Sequence, residues 1–500
     1  MNYLTKILNA TVYDVANVTP LDEMAALSKK HGSRFLLKRE DLQPIHAYKI
    51  RGAYNKMSQL PREELDKGVI CASAGNHAQG VALSAKKLGC KATIVMPVTT
   101  PEIKINAVKS YGATIVLHGD SYSDTYEELH RQIAEHGYAY IPPYDDPDVI
   151  AGQGTVAKEI LEQAGRSLDA IYVPIGGGGL AAGVAVYVKS VRPSVKVYGV
   201  EPADSDCMFR SIEAGRRVTL DNPGLFADGV CVKEPGVETF RLCRKHLDGI
   251  VRVTTAETCA AIKDIFEATR AICEPAGALA LAAAKKNAKK GETSACIISG
   301  ANMNFDRIRF VSEETEIGER REAVLACTIP ECPGSFKKFI AKLGKRSVTE
   351  FNYRMSAPDH AHVFVGVAVK TPDEVPALVA VFEKAGFPTV DLSDDAIAKE
   401  HVRHMVGGHV SGVHDEVVLA FEFPERPGAL MRFLDAIAGR WNISMFHYRN
   451  HGADHGKVLA GFQVPEGDRN QFAKVLKEIG YNFTDVSSDP AYRYFLGNRD

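Results

Sequence analysis

No stretch of this chain approaches the roughly 18 consecutive apolar residues that a membrane-spanning helix requires. The amino-terminal segment also lacks a long apolar run. Met1–Ala10 carries Lys6, and Asp22 and Glu23 follow, so neither a secretory signal nor an Arg- and Ser-rich transit peptide is expected. Neither sign of charge prevails: 60 Lys and Arg stand against 62 Asp and Glu, a formal net charge of −2. A dedicated nucleic-acid binder carries a basic excess or stripe, and none stands out. Small metabolites are the expected partners, with no nucleic acid and no membrane among them. The ten cysteines are scattered from Cys71 to Cys332, and none forms a CxxC pair. That spacing gives no support to a zinc ribbon or a thioredoxin-like redox site. Reduced, mostly buried thiols in a cytoplasmic protein are expected instead.

What remains is an ordinary globular composition on a long chain. Hydrophobic residues make up 45% and charged residues 24%, which excludes a disordered or fibrous chain. At 500 residues, two to four domains are expected. Up to about residue 320, short β-branched runs alternate with amphipathic stretches. The pattern predicts strands at Val69–Ser73, Ala92–Met96, Thr114–Leu117, Ala170–Pro174, Val195–Val200 and Ala295–Ile298. It predicts helices over Gly52–Leu65, Ala78–Leu88, Ile103–Tyr111, Tyr122–Gly137, Leu180–Val191, Ala256–Thr269 and Gly277–Ala288. Such alternation implies an α/β fold with a parallel sheet covered on both faces. About 300 residues exceed one comfortable core, so two lobes are expected. The charged segment Glu313–Glu322 reads as a linker or an exposed helix.

The last part contains an internal repeat. Ile329–Phe336 (IPECPGSF) matches Phe423–Leu430 (FPERPGAL) at an offset of 94. Asn352–Arg354 matches His447–Arg449, and Val363–Gly366 matches Val458–Gly461, both at an offset of 95. Each copy reads as strand, PxxPG turn, helix, two strands, helix, strand. That order suggests a small α+β sandwich of the βαββαβ type. The Pro-Gly turn stops the first strand and opens the helix. Two such copies, each with a sheet face or edge to cover, are expected to face each other. Between them lie His401, His404, His409 and His414. Metal ligands can come from such a run, but the intervening Val406-Gly-Gly408 and Ser411-Gly412 favour a connector. No metal is assigned.

Three polar motifs in the first part carry chemistry. One joins Lys38–Pro44 (KREDLQP) to Ala47–Ala53 (AYKIRGA), with Lys49 between Tyr48 and Ile50. The second, Ser73–Gly80 (SAGNHAQG), falls between a predicted strand and helix, where backbone N–H groups can face an anion. The third is Gly176–Gly179, again between strand and helix, a run that can wrap a phosphate with backbone donors. It lacks the acidic ribose partner of a dinucleotide site and the Lys-Ser/Thr of a Walker loop. Glu201–Asp206 (EPADSD) is an acidic run beyond another predicted strand.

Together these motifs resemble the fold-type II pyridoxal-phosphate enzymes, and among them the biosynthetic threonine deaminases. The resemblance spans nearly the whole chain. The family's Ser-Phe-Lys-x-Arg-Gly-Ala segment reads Ala47-Tyr48-Lys49-Ile50-Arg51-Gly52-Ala53 here, so two residues before the lysine differ. The Ser-x-Gly-Asn-His-x-Gln-Gly loop, the tetraglycine and Ser299–Asn302 (SGAN) are complete. The resemblance implies a two-lobed, tryptophan-synthase-β-like catalytic domain over residues 1–320. It implies ACT-like regulatory modules over 325–398 and 416–492.

The resemblance also implies the chemistry. Lys49 holds the aldehyde of pyridoxal 5'-phosphate and later acts as general base at the substrate Cα. Gly176, Gly177, Gly178 and Gly179 cradle the phosphate. Asn76 faces the ring 3-hydroxyl oxygen, and Ser299 faces the pyridine nitrogen. Ser73, Ala74, Gly75, Asn76 and His77 form the loop that grips the substrate carboxylate, with His77 in a structural role. Cys273 and Cys296 read as core thiols. The implied reaction turns L-threonine into 2-oxobutanoate and ammonia, with lesser activity on L-serine. Isoleucine is the implied inhibitor, valine its antagonist, and a homotetramer the implied assembly. Tyr353, Arg354, Tyr448 and Arg449 occupy matching places in the repeat and serve either an effector or an interdomain face. A serine racemase, a catabolic dehydratase or a threonine synthase shares the lysine and phosphate loop. The two-module tail and the intact Ser73–Gly80 loop favour the biosynthetic deaminase. A non-catalytic amino-acid sensor is the reading from another class, and intact Lys49, Asn76 and Ser299 speak against it.

Overall fold

The computed structural model describes the chain except Met1 and residues 319–321, 331–338, 340–341, 344–345, 347, 356–359, 405–414, 425–432, 434–435, 438–439, 450–454 and 497–500. It divides into two compact units, residues 1–304 and 305–500.

The first unit holds two mainly parallel sheets. Its strands are β1 (Leu21–Glu23), β2 (Arg34–Arg39), β3 (Val69–Ala72), β4 (Ala92–Met96), β5 (Thr114–Leu117), β6 (Ala139–Tyr140), β7 (Ala170–Pro174), β8 (Lys196–Pro202), β9 (Gly249–Val253) and β10 (Thr293–Ile298). The smaller sheet runs β5-β4-β3-β6, all parallel. The larger runs β1-β2-β10-β7-β8-β9, parallel except for β1 at its edge. Every residue of β3, β4, β7 and β10 is buried. Continuous burial is what parallel strands covered on both faces require. The two sheets are the two expected lobes. Ser73, Gly176 and Ser299 all follow the carboxyl ends of parallel strands, where open α/β sheets place their ligands.

Two local differences from the sequence pattern have clear causes. The stretch Gly52–Leu65 is not one helix. It forms a helix Lys49–Met57 and a second, Arg62–Lys67, because Pro61 supplies no N–H to continue the first. The helix Pro147–Gln163, which the pattern did not mark, is well signalled. Asp146 accepts from the N–H groups of Asp148 (2.8 Å) and Val149 (3.2 Å), and Pro147 opens the first turn. Gly152 lets this helix touch the lysine helix, since a Cβ there would stand 2.6 Å from the Arg51 carbonyl oxygen.

A buried charge network locks the same contact. The Arg51 guanidinium donates to Glu40 at 2.7 and 2.8 Å and to Glu159 at 2.6 and 3.0 Å. Lys38 reaches the other side of Glu159 at 2.6 Å. Two cations and two anions balance, and each is hydrogen-bonded, as charges removed from water must be.

In the second unit, the charged segment begins as the end of a helix, Arg307–Gly318, and closes at the start of a strand. Two copies of one sheet follow. The first is built from β11 (Glu322–Pro330), β12 (Val348–Met355), β13 (His360–Ala368) and β14 (Thr389–Asp391), in the order β12-β13-β11-β14. The second has β15 (Glu416–Pro424), β16 (Asn442–Arg449), β17 (His455–Gln463) and β18 (Asn482–Asp485), in the order β16-β17-β15-β18. Both sheets are antiparallel. The repeat extends to single hydrogen bonds: Ser393 Oγ accepts from Val324 N–H, and Ser487 Oγ from Val418 N–H, each at 3.0 Å. Each copy has its own core, around Phe339 and Phe382 and around Phe433 and Phe462. A third cluster joins them: Val324, Phe364 and Leu392 of one copy with Val418, Leu459 and Phe495 of the other. The expected face-to-face packing of the copies is this shared cluster.

Candidate active site

Lys49 opens the helix Lys49–Met57, and the segment before it is pinned to the end of β10. Tyr48 N–H donates to Ser299 O (3.1 Å), Ala301 N–H to His46 O (2.9 Å), and Asn302 Nδ2 to Ile45 O (2.8 Å). The lysine amine donates to the Pro143 carbonyl at 2.7 Å. Burial lowers its pKa to about 8, against a smaller upward pull from Glu274. An amine so placed spends a useful fraction of time as the free base, which a nucleophile and general base needs.

Three consecutive residues tie this lysine to the glycine loop. Pro143 holds the amine. The Tyr144 ring lies against Gly177, where a Cβ would come within 2.3 Å of it. The Asp145 carboxylate accepts from the N–H groups of Val237, Glu238 and Thr239 at 2.9–3.1 Å. Thr239 in turn donates its hydroxyl to Gly177 O at 2.6 Å.

No side chain fits along Gly176–Gly179. A Cβ would stand 3.0 Å from Val230 Cα at Gly176 and 2.7 Å from Met208 at Gly178. Gly178 also has φ +95°, which L side chains rarely adopt. The amide N–H groups of Gly176, Gly177 and Gly178 find no acceptor among the described residues. A helix start follows at Gly179. Carbonyls tied back and amides left open suit a phosphate group. With a lysine amine of lowered pKa tied to the same strap, these residues fit pyridoxal phosphate.

The second motif forms a turn between β3 and the helix Asn76–Leu88. Ser73 Oγ accepts from Gly75 N–H at 3.3 Å, and Ala74 lies between them. Asn76 is held from both sides: Nδ2 donates to Glu274 Oε1 (2.8 Å), and Oδ1 accepts from Asn302 Nδ2 (2.6 Å). His77 is buried with Nε2 on the Ile141 carbonyl at 2.8 Å. Burial, and then the Lys49 charge, lower its pKa to about 3. It is therefore a neutral ring whose N–H ties down the strap bearing Pro143, in keeping with a structural role. Ser299 is buried, and its hydroxyl has no protein partner among the described residues.

The motifs thus converge: the Ser299–Asn302 segment touches both the lysine segment and Asn76. Sequence reading missed Glu274, Pro143, Tyr144 and Asp145. Glu274-Pro-Ala-Gly277 carried a helix-start signal, with proline in the first turn, but nothing that aimed its carboxylate at Asn76. Burial and the nearby Asp228 raise the Glu274 pKa to about 7.

The remaining candidates lie elsewhere. Glu201 accepts from the N–H groups of Met208 (2.9 Å) and Phe209 (2.8 Å), and Asp206 pairs with Arg210 and Arg252. That run clamps a helix start. Among the described residues no cluster of His, Cys, Asp or Glu is arranged for a metal. His401 is buried, while His409 and His414 fall outside the described residues. Cys273 and Cys296 are buried, unpaired thiols that burial keeps protonated. On the strand backbones, Tyr353 pairs with Val363 and Tyr448 with Val458. Arg354 pairs with His362 and Arg449 with Lys457. The side chains of these four lie outside the described residues. No helix among the described residues is long and apolar enough to cross a membrane.

A two-lobed parallel α/β unit with a half-buried lysine tied through one strap to an amide-lined glycine loop defines a pyridoxal-phosphate enzyme. Residues 12–300 match the family of pyridoxal-phosphate dependent enzymes. Residues 313–402 and 407–496 each match the C-terminal regulatory domain of threonine dehydratase. The chain is 54% identical over 502 residues to the biosynthetic L-threonine dehydratase of Burkholderia multivorans, covering 99% of both chains. It is 53% identical to the chloroplastic biosynthetic threonine dehydratase of Arabidopsis thaliana, covering 99% of this chain and 84% of that one. Among solved structures, the processed threonine deaminase isoform 2 of Solanum lycopersicum matches with a TM-score of 0.61 and 47% identity. That match covers 63% of this chain and 92% of the other. Maize serine racemase matches with a TM-score of 0.59 and 33% identity over 62% of this chain and 96% of its own, so the catalytic fold alone does not separate the two chemistries. This chain belongs to the biosynthetic threonine dehydratase family.

Proposed function

We propose that this chain converts L-threonine to 2-oxobutanoate and ammonia, the first step of isoleucine biosynthesis, with lesser turnover of L-serine. The observation that carries the reading is the half-buried Lys49 amine, 2.7 Å from the carbonyl of Pro143, on a strap that also packs the open-amide glycine loop. Near 54% identity along the full length to a biosynthetic L-threonine dehydratase supports the substrate.

When bound, pyridoxal phosphate supplies the electron sink that makes a Cα proton removable. Gly176–Gly179 would bind the phosphate through N–H groups. Asn76 would donate to the ring oxygen, and the neutral Ser299 hydroxyl would serve the ring nitrogen. A neutral partner would leave that nitrogen less protonated than a carboxylate would, which would favour β-elimination over transamination. Ser73, Ala74, Gly75, Asn76 and His77 form the turn that orients the substrate carboxylate. Lys49, once free, would take the Cα proton; the β-hydroxyl, on gaining a proton, would leave as water, and water would then hydrolyse the released enamine to the 2-oxo acid and ammonia. The site is a catalytic domain over residues 1–320, followed by ACT-like modules over 325–398 and 416–492.

The doubled modules support feedback: isoleucine inhibits, valine opposes it, and Tyr353, Arg354, Tyr448 and Arg449 lie at the effector faces. Regulation of this kind requires each effector to favour one of two global arrangements. The working enzyme is a cytoplasmic homotetramer. Purified protein given L-threonine, with and without isoleucine, tests the reading. Isoleucine-suppressed 2-oxobutanoate supports both halves. A visible cofactor band without elimination refutes the deaminase, and turnover indifferent to isoleucine refutes the effector.

A further inference from the structure

The Glu274 carboxylate is 3% exposed at the start of the helix Pro275–Asn287 and does not cap it. Both its oxygens reach into the Lys49 site instead. Oε1 accepts from Asn76 Nδ2 (2.8 Å), and Oε2 accepts from the Asn302 backbone N–H (3.1 Å). Asn302 Nδ2 completes the ring on Asn76 Oδ1. These contacts decide which way the Asn76 amide faces. Turned over, it would set its oxygen against a carboxylate and its NH2 against another NH2. As it stands, one Nδ2–H is left without an acceptor among the described residues.

Two donors on two oxygens favour the ionised carboxylate and offset part of the burial that raises its pKa. The groups facing Glu274 come from every neighbouring element. Lys49 and Tyr48 lie at the lysine helix start, Asp228 on the Asp228–Val230 turn, Lys104 on the helix Glu102–Lys109, and Asn302 after β10. Gly229 and Gly300 leave room for it, with a Cβ at either standing 3.2 or 2.8 Å from Oε1. Asp228 itself pairs with Lys104 at 2.8 Å. Lys104 also acts on Glu274 and lowers its pKa. The Glu274 N–H donates to Gly300 O and Tyr48 N–H to Ser299 O, so one short segment ties Glu274 to the start of the lysine helix, and Lys49 feels its charge as an upward pull.

We propose that Glu274 is a positioning residue for this reaction. It is the counter-charge of the Lys49 amine, and it turns the Asn76 amide so that one N–H remains for the cofactor's ring oxygen. The second half rests on the cofactor placement proposed above; the first does not. The test is Glu274→Gln, read in two ways. In cofactor-free protein, the pH midpoint for labelling Lys49 with an amine reagent, quantified on its peptide by mass spectrometry, is to fall by about one pH unit. In the holoenzyme, the pH midpoint of the visible cofactor band is to fall as well. A labelling midpoint unchanged in folded protein overturns the proposal, and so does a band midpoint unchanged where Asn76→Ala moves it. Asn76→Ala separates the two failures: if it too leaves the band unmoved, the cofactor placement is at fault and the labelling midpoint alone decides. Melting of the cofactor-free protein checks folding. If Glu274→Gln does not fold, Glu274→Asp draws the charge back by one methylene and is to shift both midpoints in the same direction by less; no shift overturns the proposal.

Discussion

Arg51 meets Glu159 with both ends of its guanidinium, at 2.6 and 3.0 Å, with neither side chain exposed to solvent. Arg51 lies two residues beyond Lys49 on the same helix, so this pair fixes where the reactive amine begins. Removing one partner strands a buried charge, at a cost of about 3–5 kcal/mol. Glu159→Ala is therefore expected to lower the denaturant midpoint by that equivalent and to loosen cofactor retention. A midpoint within error of the parent would show that the network relaxes without cost.

Lys49 releases its proton near pH 8 in the folded, cofactor-free protein, whereas an unfolded chain keeps it into the ordinary lysine range. Between those values the unfolded state binds more protons, so stability rises with pH across the window. Below it, the cost of burying the ammonium remains. Lys49→Met is expected to abolish that slope in melting curves taken from pH 8 to 10. Loss of the base is expected to lower turnover by on the order of 10²–10⁴-fold or more. A slope unchanged in Lys49→Met would assign the pH dependence to another group.

At Gly177 an added methyl would stand 2.3 Å from a carbon of the Tyr144 ring. The ring must then move, and with it the adjacent Pro143 carbonyl that holds Lys49. Overpacking of this kind costs about 1–3 kcal/mol. For Gly177→Ala we expect cofactor retention weakened by roughly ten- to a hundredfold, measured by dialysis against the cofactor. Full retention would mean that the loop is not the phosphate cradle.

Asp395 and Asp489 begin equivalent helices of the two repeats, each accepting from a first-turn N–H. Burial and the nearby Asp395 raise the Asp489 pKa. A folded carboxyl raised above its unfolded value gives up stability as pH climbs through that interval, and the deficit persists at neutral pH. Asparagine still caps a helix but carries no charge. Asp489→Asn is expected to stabilise the regulatory unit at pH 7 by no more than about 1 kcal/mol, since the group is partly exposed. A loss of stability would mean that the cap outweighs the repulsion.

Much of the site was legible because its chemistry is local. A glycine run after an apolar strand, or a turn of small residues before a helix, announces backbone donors without any tertiary information. Strands such as Ala92–Met96 and Ala170–Pro174 coincide with their sequence patterns because burial on both faces leaves an unbroken apolar run. The repeat at offsets of 94 and 95 likewise foretold two equivalent sheets. Asp146-Pro147 marks the start of the helix Pro147–Gln163, while Gly152 and Gly154 within it blur its apolar periodicity.

Sequence alone therefore determined the class of chemistry, the candidate lysine and the doubled regulatory tail, since each is carried by short motifs, single or repeated, that are continuous along the chain. Tertiary structure decided how that lysine is tuned. Glu274 stands 198 residues from Asn76, and Pro143 stands 94 from Lys49. A carboxylate becomes a counter-charge, and a carbonyl an anchor, only when folding removes water from both and brings each within hydrogen-bond distance of its partner. No spacing in the chain encodes that, because desolvation belongs to the packed interior as a whole.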